Sequence, residues 1–247
     1  MPDQDFTGKV AIVTGASRGI GRTIALALAE RGAAVVGTAR RLDSSEGTGG
    51  TLRGTIDAVE QSGARGLAVP AEIVNEQGPR YIAERAVKVF GRIDILVNNA
   101  GVYPTVAILD TELKSWRDMI AINVTAPFLM AKAVLPQMIE QGSGNIFNVS
   151  SGSALTYTED HVGYATSKAA LNTFSAFLAE EVRANGISVN AWMPGLIQTD
   201  MNDYHGAEPS VVVPSVMWAL AQTPDTFTGQ VVRLRAFGDT WGPKAAA

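Results

Sequence analysis

The chain has 247 residues, 46% of them hydrophobic, and a formal net charge of −4 at pH 7. A chain of this length buries roughly three quarters of its unfolded surface when it folds as one α/β unit, so we expect a single domain over residues 1–247. The negative charge argues against a nucleic-acid partner, and the lack of cysteine excludes disulfides, thiolate nucleophiles and cysteine-bound metals.

Targeting signals and metal-ligand clusters are not evident in the sequence. Residues 1–9 are polar and acidic, without the basic start and apolar stretch of a signal peptide, and no run approaches about 18 uninterrupted apolar residues. The two histidines, His161 and His205, make a zinc dehydrogenase site improbable. We therefore expect a cytoplasmic protein that binds no metal and does not span a membrane.

Short apolar runs alternate with helical patterns along the chain. The first run, 10–13, suits a strand buried on both faces, and apolar residues then recur every fourth position over 20–28, with Gly32 placed for a helix C-terminus. Such alternation predicts a parallel sheet, because each parallel connection needs a crossover. The further predicted strands are 34–38, 67–69, 93–97, 145–149, 187–192 and 230–234, and the further predicted helices lie near 77–90, 111–135 and 164–184.

The predicted fold class is α/β. We expect one doubly wound Rossmann-type domain, with a mostly parallel seven-stranded sheet and helices on both faces. Two stretches interrupt the alternation: the Ser- and Gly-rich segment 43–50, and the polar, proline-bearing segment 199–214. Long loops at the carboxyl ends of parallel strands border the ligand crevice, so we expect a substrate loop around 195–214.

A glycine-rich turn follows the first predicted strand, with the spacing Gly-x-x-x-Gly-x-Gly. Missing side chains let backbone amides approach a pyrophosphate, and the N-terminus of the next helix adds partial positive charge. The alternative is a tight connection without a ligand. The predicted pyrophosphate-binding residues are Gly15, Ser17, Arg18, Gly19, Ile20 and Gly21.

The end of the second predicted strand bears on the choice of cofactor. NAD-type sites usually place an acid there, which bonds the ribose 2′-hydroxyl and repels a 2′-phosphate. This chain has Arg40 instead, and Arg40 with Arg18 can form a fork around a phosphate. The pattern predicts NADP(H); the alternative is that both arginines are solvated surface charges.

Tyr164 and Lys168 lie four residues apart in a predicted helix, and therefore on one of its faces. A free phenol has a pKa near 10, and a nearby ammonium, together with the positive nicotinamide ring of an oxidised cofactor, favours the phenolate. We expect a lowered pKa and an acid/base role for Tyr164. Alternatively, Tyr164 is a half-buried core residue and Lys168 an extended surface charge.

Two more polar residues are candidates for this chemistry. Ser151 follows the fifth predicted strand, where its hydroxyl can hold a substrate oxygen beside the phenol; Ser150 and Ser153 are alternatives. Asn123 is polar within an apolar helical stretch. It is a candidate partner for a proton-relay water beside Lys168, or else for an ordinary hydrogen bond between helices.

Together, these features resemble the short-chain dehydrogenases/reductases of the Tyr-x-x-x-Lys type over nearly the whole chain. The matching segments are 14–21, 98–101, the region of Asn123, Ser151, Tyr164 with Lys168, and 194–199. The resemblance implies that Tyr164 is the acid/base, Ser151 orients the carbonyl, Asn123 supports a water relay and Lys168 binds the nicotinamide ribose. It also implies that residues 98–101 stabilise the central strand and border the adenine ribose. The further cofactor contacts it implies are Asn98, Ala100, Gly101, Tyr164, Pro194, Gly195, Ile197 and Thr199.

The predicted function is an NADP(H)-dependent oxidoreductase that moves a hydride between nicotinamide and a carbonyl or alcohol carbon, as a ketone or aldehyde reductase. Two alternatives stay open: a reductase of 3-oxoacyl chains on an acidic carrier, and a non-catalytic nucleotide-sensing protein of the same fold. By resemblance, helices 111–135 and 164–184 form the dimer interface of a homo-oligomer, a tetramer or a dimer.

The expected substrate is small and mostly apolar. The sequence leaves two interpretations open for His161 and the aromatic residues of the pocket segments: they line the pocket, or they only pack their loops. The predicted pocket residues are Tyr103, Ser153, His161, Leu196, Met201 and Tyr204.

Overall fold

Seven parallel strands form one sheet in the computed structural model, which describes residues 4–43 and 50–244. The strand order is β3-β2-β1-β4-β5-β6-β7, which confirms the predicted doubly wound α/β fold. Residues 44–49, most of the predicted insertion, lie outside the described residues. The strands are β1 (Val10–Thr14), β2 (Ala34–Thr38), β3 (Gly66–Ala68), β4 (Ile95–Asn98), β5 (Gly144–Val149), β6 (Ile187–Met193) and β7 (Val231–Arg233).

Helices cover both faces of the sheet. Alternate residues of β1 pack into two separate cores: Ala11 and Val13 into one, Val10 and Ile12 into the other, as expected of a strand buried on both faces. The first core includes residues of α1, α2 and α7, and the second includes residues of α3, α5 and α6. The helices are α1 (Gly19–Ala29), α2 (Leu52–Gln61), α3 (Gln77–Phe90), α4 (Leu113–Ile120), α5 (Ala126–Gln141), α6 (Val162–Val182) and α7 (Val213–Leu220).

The sheet order decides where a ligand crevice opens. The chain winds one way from β1 through β2 to β3 and the other way from β4 to β7, so β1 and β4 flank the switch point. Because every described strand pair is parallel, the carboxyl ends of β1, β4, β5 and β6 meet at one edge. The glycine loop, the 98–101 segment and Ser151 all follow strands at this edge.

The predicted continuous helix 111–135 is wrong in detail. A π-helical turn, Ala121–Thr125, separates α4 from α5, and α5 continues to Gln141 past Pro136. The π turn contains Asn123, whose side chain is bonded to the backbone of Val102. That tertiary contact is not visible in the hydrophobic periodicity from which the single helix was inferred.

The segment 199–214 is more ordered than predicted. It contains two short 3₁₀ turns, Asp200–Asn202 and Pro209–Val212, and α7 begins at Val213. The Gln198 amide donates to the Ala207 carbonyl at 2.9 Å, and the Ala207 amide donates to the Leu196 carbonyl at 3.0 Å, which ties the middle of the loop to its start. The predicted substrate loop is therefore a closed structure with its own internal bonds.

Among the described residues, one helical stretch, Leu113–Gln141, is long and contains a window apolar enough to cross a membrane by length and composition. Core helices have the same properties, so this is weak evidence for a membrane span. Met130 and Val134 within it are fully buried in the second core, alongside Ile82 of α3. These contacts are those of a helix packed against its own sheet.

Candidate active site

The glycine loop between β1 and α1 has no room for side chains. A Cβ on Gly15, where φ is +65°, would lie 2.9 Å from the Asn99 amide nitrogen, and one on Gly21 would lie 2.3 Å from the Gly15 carbonyl oxygen. Gly19 is also left-handed, with φ +54°. The loop therefore has the bare backbone that a pyrophosphate cradle requires, at the N-terminus of α1.

Thr14 and Asn99 hold this loop in place. The Asn99 amide donates to the carbonyls of Thr14 (3.0 Å) and Gly15 (3.2 Å). The Thr14 hydroxyl accepts from the backbone amides of Asn99 and Ala100, both at 3.0 Å. Neither Thr14 nor Asn99 was among the predicted site residues. Their position at the ends of β1 and β4 was the available signal, but the bonds join residues about 85 positions apart.

The Asn98 side chain joins elements of the sheet, which fits the strand-stabilising role that the resemblance also implies for residues 98–101. Its side chain is 3% exposed and donates to Asn148 at 2.9 Å, inside the sheet. Asn148 in turn donates to Ser175 of α6 at 2.8 Å. The Asn98 amide is thus used to join β4, β5 and the helix that carries Tyr164.

Tyr164 and Lys168 lie on the buried side of α6, 7% and 5% exposed. The Lys168 ammonium donates to the Val149 carbonyl at 2.8 Å, at the end of β5. It lies 5.8 Å from the centre of the Tyr164 ring. The two groups therefore share one small volume at the sheet edge.

Burial governs the protonation of both groups. It raises the pKa of Tyr164 to about 12, against the lowering effect of a hydrogen bond from Ser151, while Tyr103 raises it further. Burial also lowers the pKa of Lys168 to about 8. The expected lowering of the Tyr164 pKa is therefore not found in the chain itself, because desolvation of the phenolate outweighs the hydrogen bond with Ser151.

Three serines compete for the carbonyl-binding role. The Ser151 hydroxyl hydrogen-bonds Tyr164 and also accepts from the Ser153 backbone amide at 3.3 Å. Ser150 is buried, and its hydroxyl donates to the backbone of Lys168 at 3.4 Å. Ser151 is thus the serine whose hydroxyl meets the phenol, with Ser153 next to it.

The Asn123 side chain is held by hydrogen bonds to the protein. Its amide nitrogen donates to the Val102 carbonyl and the Ser167 hydroxyl, and its oxygen accepts from the Val102 amide, all at 3.0 Å. A Cβ on Gly101 would lie 3.2 Å from the Asn123 oxygen and 3.6 Å from the Lys168 nitrogen. Both amide hydrogens are used in this way, as in the structural alternative, while the oxygen accepts one bond and keeps a lone pair, so the water relay stays a prediction.

Tyr103 and His161 pack beside Tyr164. The Tyr103 ring meets the Tyr164 ring edge-on, with centroids 4.6 Å apart and planes at 78°. The Tyr103 hydroxyl is hydrogen-bonded to Nε2 of His161, whose ring lies 6.4 Å from that of Tyr164. These two predicted pocket residues form a wall next to the phenol.

The family model "short chain dehydrogenase" matches residues 9–209. The chain belongs to this family. A 3-oxoacyl-[acyl-carrier-protein] reductase of Synechocystis is 37% identical over 83% of this chain and 80% of its own length. The Escherichia coli reductase of that name is also 37% identical, over 80% of this chain and 77% of its own length.

Solved structures of the same family have the same fold. A metagenomic short-chain oxidoreductase in complex with NADP superposes with a TM-score of 0.80 at 31% identity, covering 92% of this chain and 97% of its own. A structure from Sinorhizobium meliloti 1021, described as a "putative short-chain alcohol dehydrogenase", gives a TM-score of 0.85 at 30% identity, covering 94% of this chain and 97% of its own. This short-chain dehydrogenase is accordingly an oxidoreductase of CH–OH and C=O groups, with a nicotinamide cofactor.

The C-terminal part of this short-chain dehydrogenase lies beyond the family match. Trp241 stacks on Phe227 with centroids 5.6 Å apart, and its indole donates to the Arg233 carbonyl at 2.8 Å. Trp218 and Phe237 complete this aromatic cluster. The atypical sequence after β7 therefore folds back onto α7.

Predicted contacts in the loop after β6 divide into two groups. Leu196, Met201 and Tyr204 are 61%, 50% and 48% exposed, in contrast to the packed pair Tyr103 and His161. Ile197 is 3% exposed and belongs to the first core, so its side chain does not face a ligand. The remaining predicted loop contacts are the half-buried Pro194, the exposed Gly195 and the half-buried Thr199.

The same loop touches the glycine loop. The Arg18 guanidinium lies 3.0 Å from a carboxylate oxygen of Asp200, an ion contact without a hydrogen bond, and a Cβ on Gly19 would lie 3.1 Å from the Thr199 methyl. Arg18, expected in a phosphate fork with Arg40, thus has an acidic partner. Arg40 is exposed two residues after β2.

Two further predicted contacts lie at the start of α1. Ser17 accepts a long hydrogen bond from the Thr55 hydroxyl (3.4 Å) through its backbone carbonyl, and the Ile20 side chain packs on the first core.

Within residues 4–43 and 50–244, no three histidine, aspartate or glutamate side chains are grouped as metal ligands.

Proposed function

We propose that this chain is a cytoplasmic, NADP(H)-dependent reductase of small ketones or aldehydes. The observation that carries the proposal is the buried Tyr164 phenol, hydrogen-bonded to Ser151 and one helical turn from the Lys168 ammonium. All three lie at the edge of the sheet where the glycine loop follows β1. A non-catalytic nucleotide sensor would not require these three side chains together, so their presence favours an enzyme.

The residues divide the work of carbonyl reduction. NADPH, when bound, supplies the hydride. The hydroxyls of Ser151 and Tyr164 both bond the substrate oxygen, and Tyr164 donates its proton as negative charge develops there. With a pKa of about 12, Tyr164 holds its proton at neutral pH until the alkoxide forms. The Lys168 ammonium then stabilises the phenolate that remains.

Three features support NADP(H) over NAD(H). The bare glycine loop fits a pyrophosphate, residues 39–41 directly after β2 include no acid, and Arg40 among them is exposed. The related metagenomic oxidoreductase was crystallised with NADP. The Arg18–Asp200 contact opposes the preference, since Asp200 competes with the phosphate for the guanidinium.

A second candidate is the reduction of 3-oxoacyl chains on a carrier protein. The names of the two curated relatives favour it. The charge around the pocket does not: exposed acids in the segments beside it would repel an acidic carrier. These acids are Glu159, Asp160, Asp203 and Glu208.

The proposed assembly is a homo-oligomer formed through α5 and α6. Phe177 of α6 is 75% exposed and Phe128 of α5 is 46% exposed. Phe174 joins them, with its ring 6.4 Å from that of Phe128. We refer to these three residues as the aromatic strip. Such an exposed apolar surface favours association with a second copy.

The test is a panel of small ketones, aldehydes, free 3-oxoacyl thioesters and carrier-bound 3-oxoacyl chains, followed by loss of NADPH or NADH absorbance. We expect the highest kcat/KM for a free carbonyl compound with NADPH. Preference for the carrier-bound chain would establish the second candidate. A chain that binds NADPH but reduces no member of the panel would contradict both.

A further inference from the structure

The proposed chemistry makes no use of the hydrogen-bonded pair Tyr103 and His161. The pair spans 58 positions in the sequence and brings the segment after β4 against the N-terminus of α6. His161 is 8% exposed and Tyr103 half-buried. A polar pair placed edge-on against the acid/base residue forms part of the surface that a substrate meets.

When the His161 ring is neutral, its contact with Glu159 sets the direction of the Tyr103 proton. Nδ1 of His161 contacts the backbone carbonyl of Glu159, which only accepts, so Nδ1 carries the hydrogen. In the neutral ring Nε2 is then an acceptor. Tyr103 therefore donates its hydroxyl hydrogen to Nε2, and its oxygen keeps only lone pairs for any other partner.

The phenols of Tyr103 and Tyr164 are close enough to interact electrostatically. Their ring centroids are 4.6 Å apart, and Tyr103 contributes to raising the pKa of Tyr164. Because the two rings are in contact, a carbonyl compound bonded to Tyr164 and Ser151 would lie beside Tyr103, and groups on the carbon next to the carbonyl would face it. A group at that carbon meets an acceptor that has no proton to offer.

We propose that Tyr103 is a specificity-determining residue that accepts a hydrogen bond from a hydroxyl on the carbon next to the reacting carbonyl, with His161 as its positioning residue. The preferred substrate class is then the α-hydroxy ketones. This inference rests on the proposed carbonyl reductase activity and refines the expectation of a mostly apolar substrate. A site built to bond a hydroxyl discriminates against analogues that lack it.

The first test compares 1-hydroxy-2-butanone with 3-pentanone, in which a methyl group replaces the hydroxyl. In Tyr103→Phe the ring remains against Tyr164 but the acceptor is gone. We expect the kcat/KM ratio of the two substrates to fall about 3- to 10-fold from its wild-type value, as for the loss of one neutral hydrogen bond. The control Tyr81→Phe, on α3, keeps the wild-type ratio.

The second test changes the direction of the proton. His161→Phe removes the acceptor, so Tyr103 is able to turn its hydrogen toward the substrate. We expect 1-methoxy-2-propanone, whose ether oxygen only accepts, to gain relative to 2-pentanone. In the double variant with Tyr103→Phe that gain is lost. NADPH binding and the melting temperature of each variant check that the fold is intact.

The outcomes separate this inference from the function beneath it. If Tyr103→Phe leaves the kcat/KM ratio of hydroxy ketone to ketone unchanged, whether or not both values fall, the specificity role is overturned and the reductase activity stands. A wild-type enzyme that binds NADPH and reduces none of the four ketones would overturn the proposed function, and the specificity role with it.

Discussion

The Lys168 ammonium lies 5.8 Å from the centre of the Tyr164 ring but donates to the Val149 carbonyl, at 2.8 Å. The ammonium is thus held by the end of β5, close to the ring of the phenol. Burial pushes the two groups in opposite directions, with a pKa of about 12 for Tyr164 and about 8 for Lys168. Both are protonated at neutral pH, which suits the reductive direction.

Replacing Tyr164 with Phe removes the proton donor and keeps the ring. We expect kcat for carbonyl reduction to fall by about 100- to 10,000-fold, the usual range for general acid catalysis. The dissociation constant of NADPH, measured by fluorescence titration, stays within about twofold, because the glycine loop is untouched. Tyr81→Phe serves as the matched control, and near-normal turnover by Tyr164→Phe would remove this residue from the mechanism.

The pH dependence of reduction follows from Lys168. Its pKa is lowered to about 8, so the ammonium is present below that pH and is lost as pH rises through it. Tyr164, at about 12, keeps its proton over the same window. We therefore expect kcat/KM for reduction to be level between pH 6 and 7.5 and to decline above about pH 8.

Lys168→Arg provides the control for that profile. A guanidinium stays charged across the whole window, so whatever activity remains in this variant loses the decline near pH 8. A wild-type profile that is flat to pH 10 would contradict the assignment of the decline to Lys168.

Contacts between neighbours in the sequence were predictable, and contacts between distant residues were not. Helical periodicity places Tyr164 and Lys168 on one face, and apolar runs located all seven strands to within two residues. The Tyr103–His161 bond joins residues 58 positions apart, and periodicity carries no information about such pairs. The short helix α7 was missed because Pro214 lies in its first turn, next to an irregular loop.

Arg40→Asp tests the cofactor preference. The new carboxylate repels a 2′-phosphate and can bond the ribose 2′-hydroxyl of NADH. We expect the ratio of kcat/KM for NADPH over NADH to fall roughly 10- to 100-fold, the value of a charge-assisted bond. Arg80→Asp, an exposed arginine on α3, leaves the ratio unchanged. Equal use of both cofactors by the unmodified chain would defeat the NADP(H) assignment.

Asp200→Asn tests the contact with Arg18, which lies 3.0 Å away. Neutralising the acid releases the guanidinium for a 2′-phosphate. Since Arg18 is 36% exposed, the ion pair is weak and we expect NADPH binding to tighten by no more than about fivefold, with NADH binding unchanged. Titration calorimetry measures both dissociation constants.

Asp203→Asn is the matched control for Asp200, because it removes an exposed charge from the same loop without touching Arg18. The left-handed backbone at Asp203, φ +52°, also tolerates asparagine. Equal tightening in both variants would show a general charge effect instead of competition for Arg18. Tightening of NADH in Asp200→Asn would point to movement of the loop.

Phe177→Asp tests the proposed oligomer. Phe177, part of the aromatic strip, is 75% exposed in the single chain. A second copy packed on the strip would remove this apolar surface from water. A carboxylate at position 177 would be desolvated on association. We therefore expect the variant to elute with the mass of one chain in light-scattering chromatography. Tyr157→Asp, which changes an aromatic residue that is 89% exposed outside the strip, retains the wild-type mass. A wild-type chain that is already monomeric, or a Phe177→Asp variant with unchanged mass, would place the subunit contact elsewhere or exclude it.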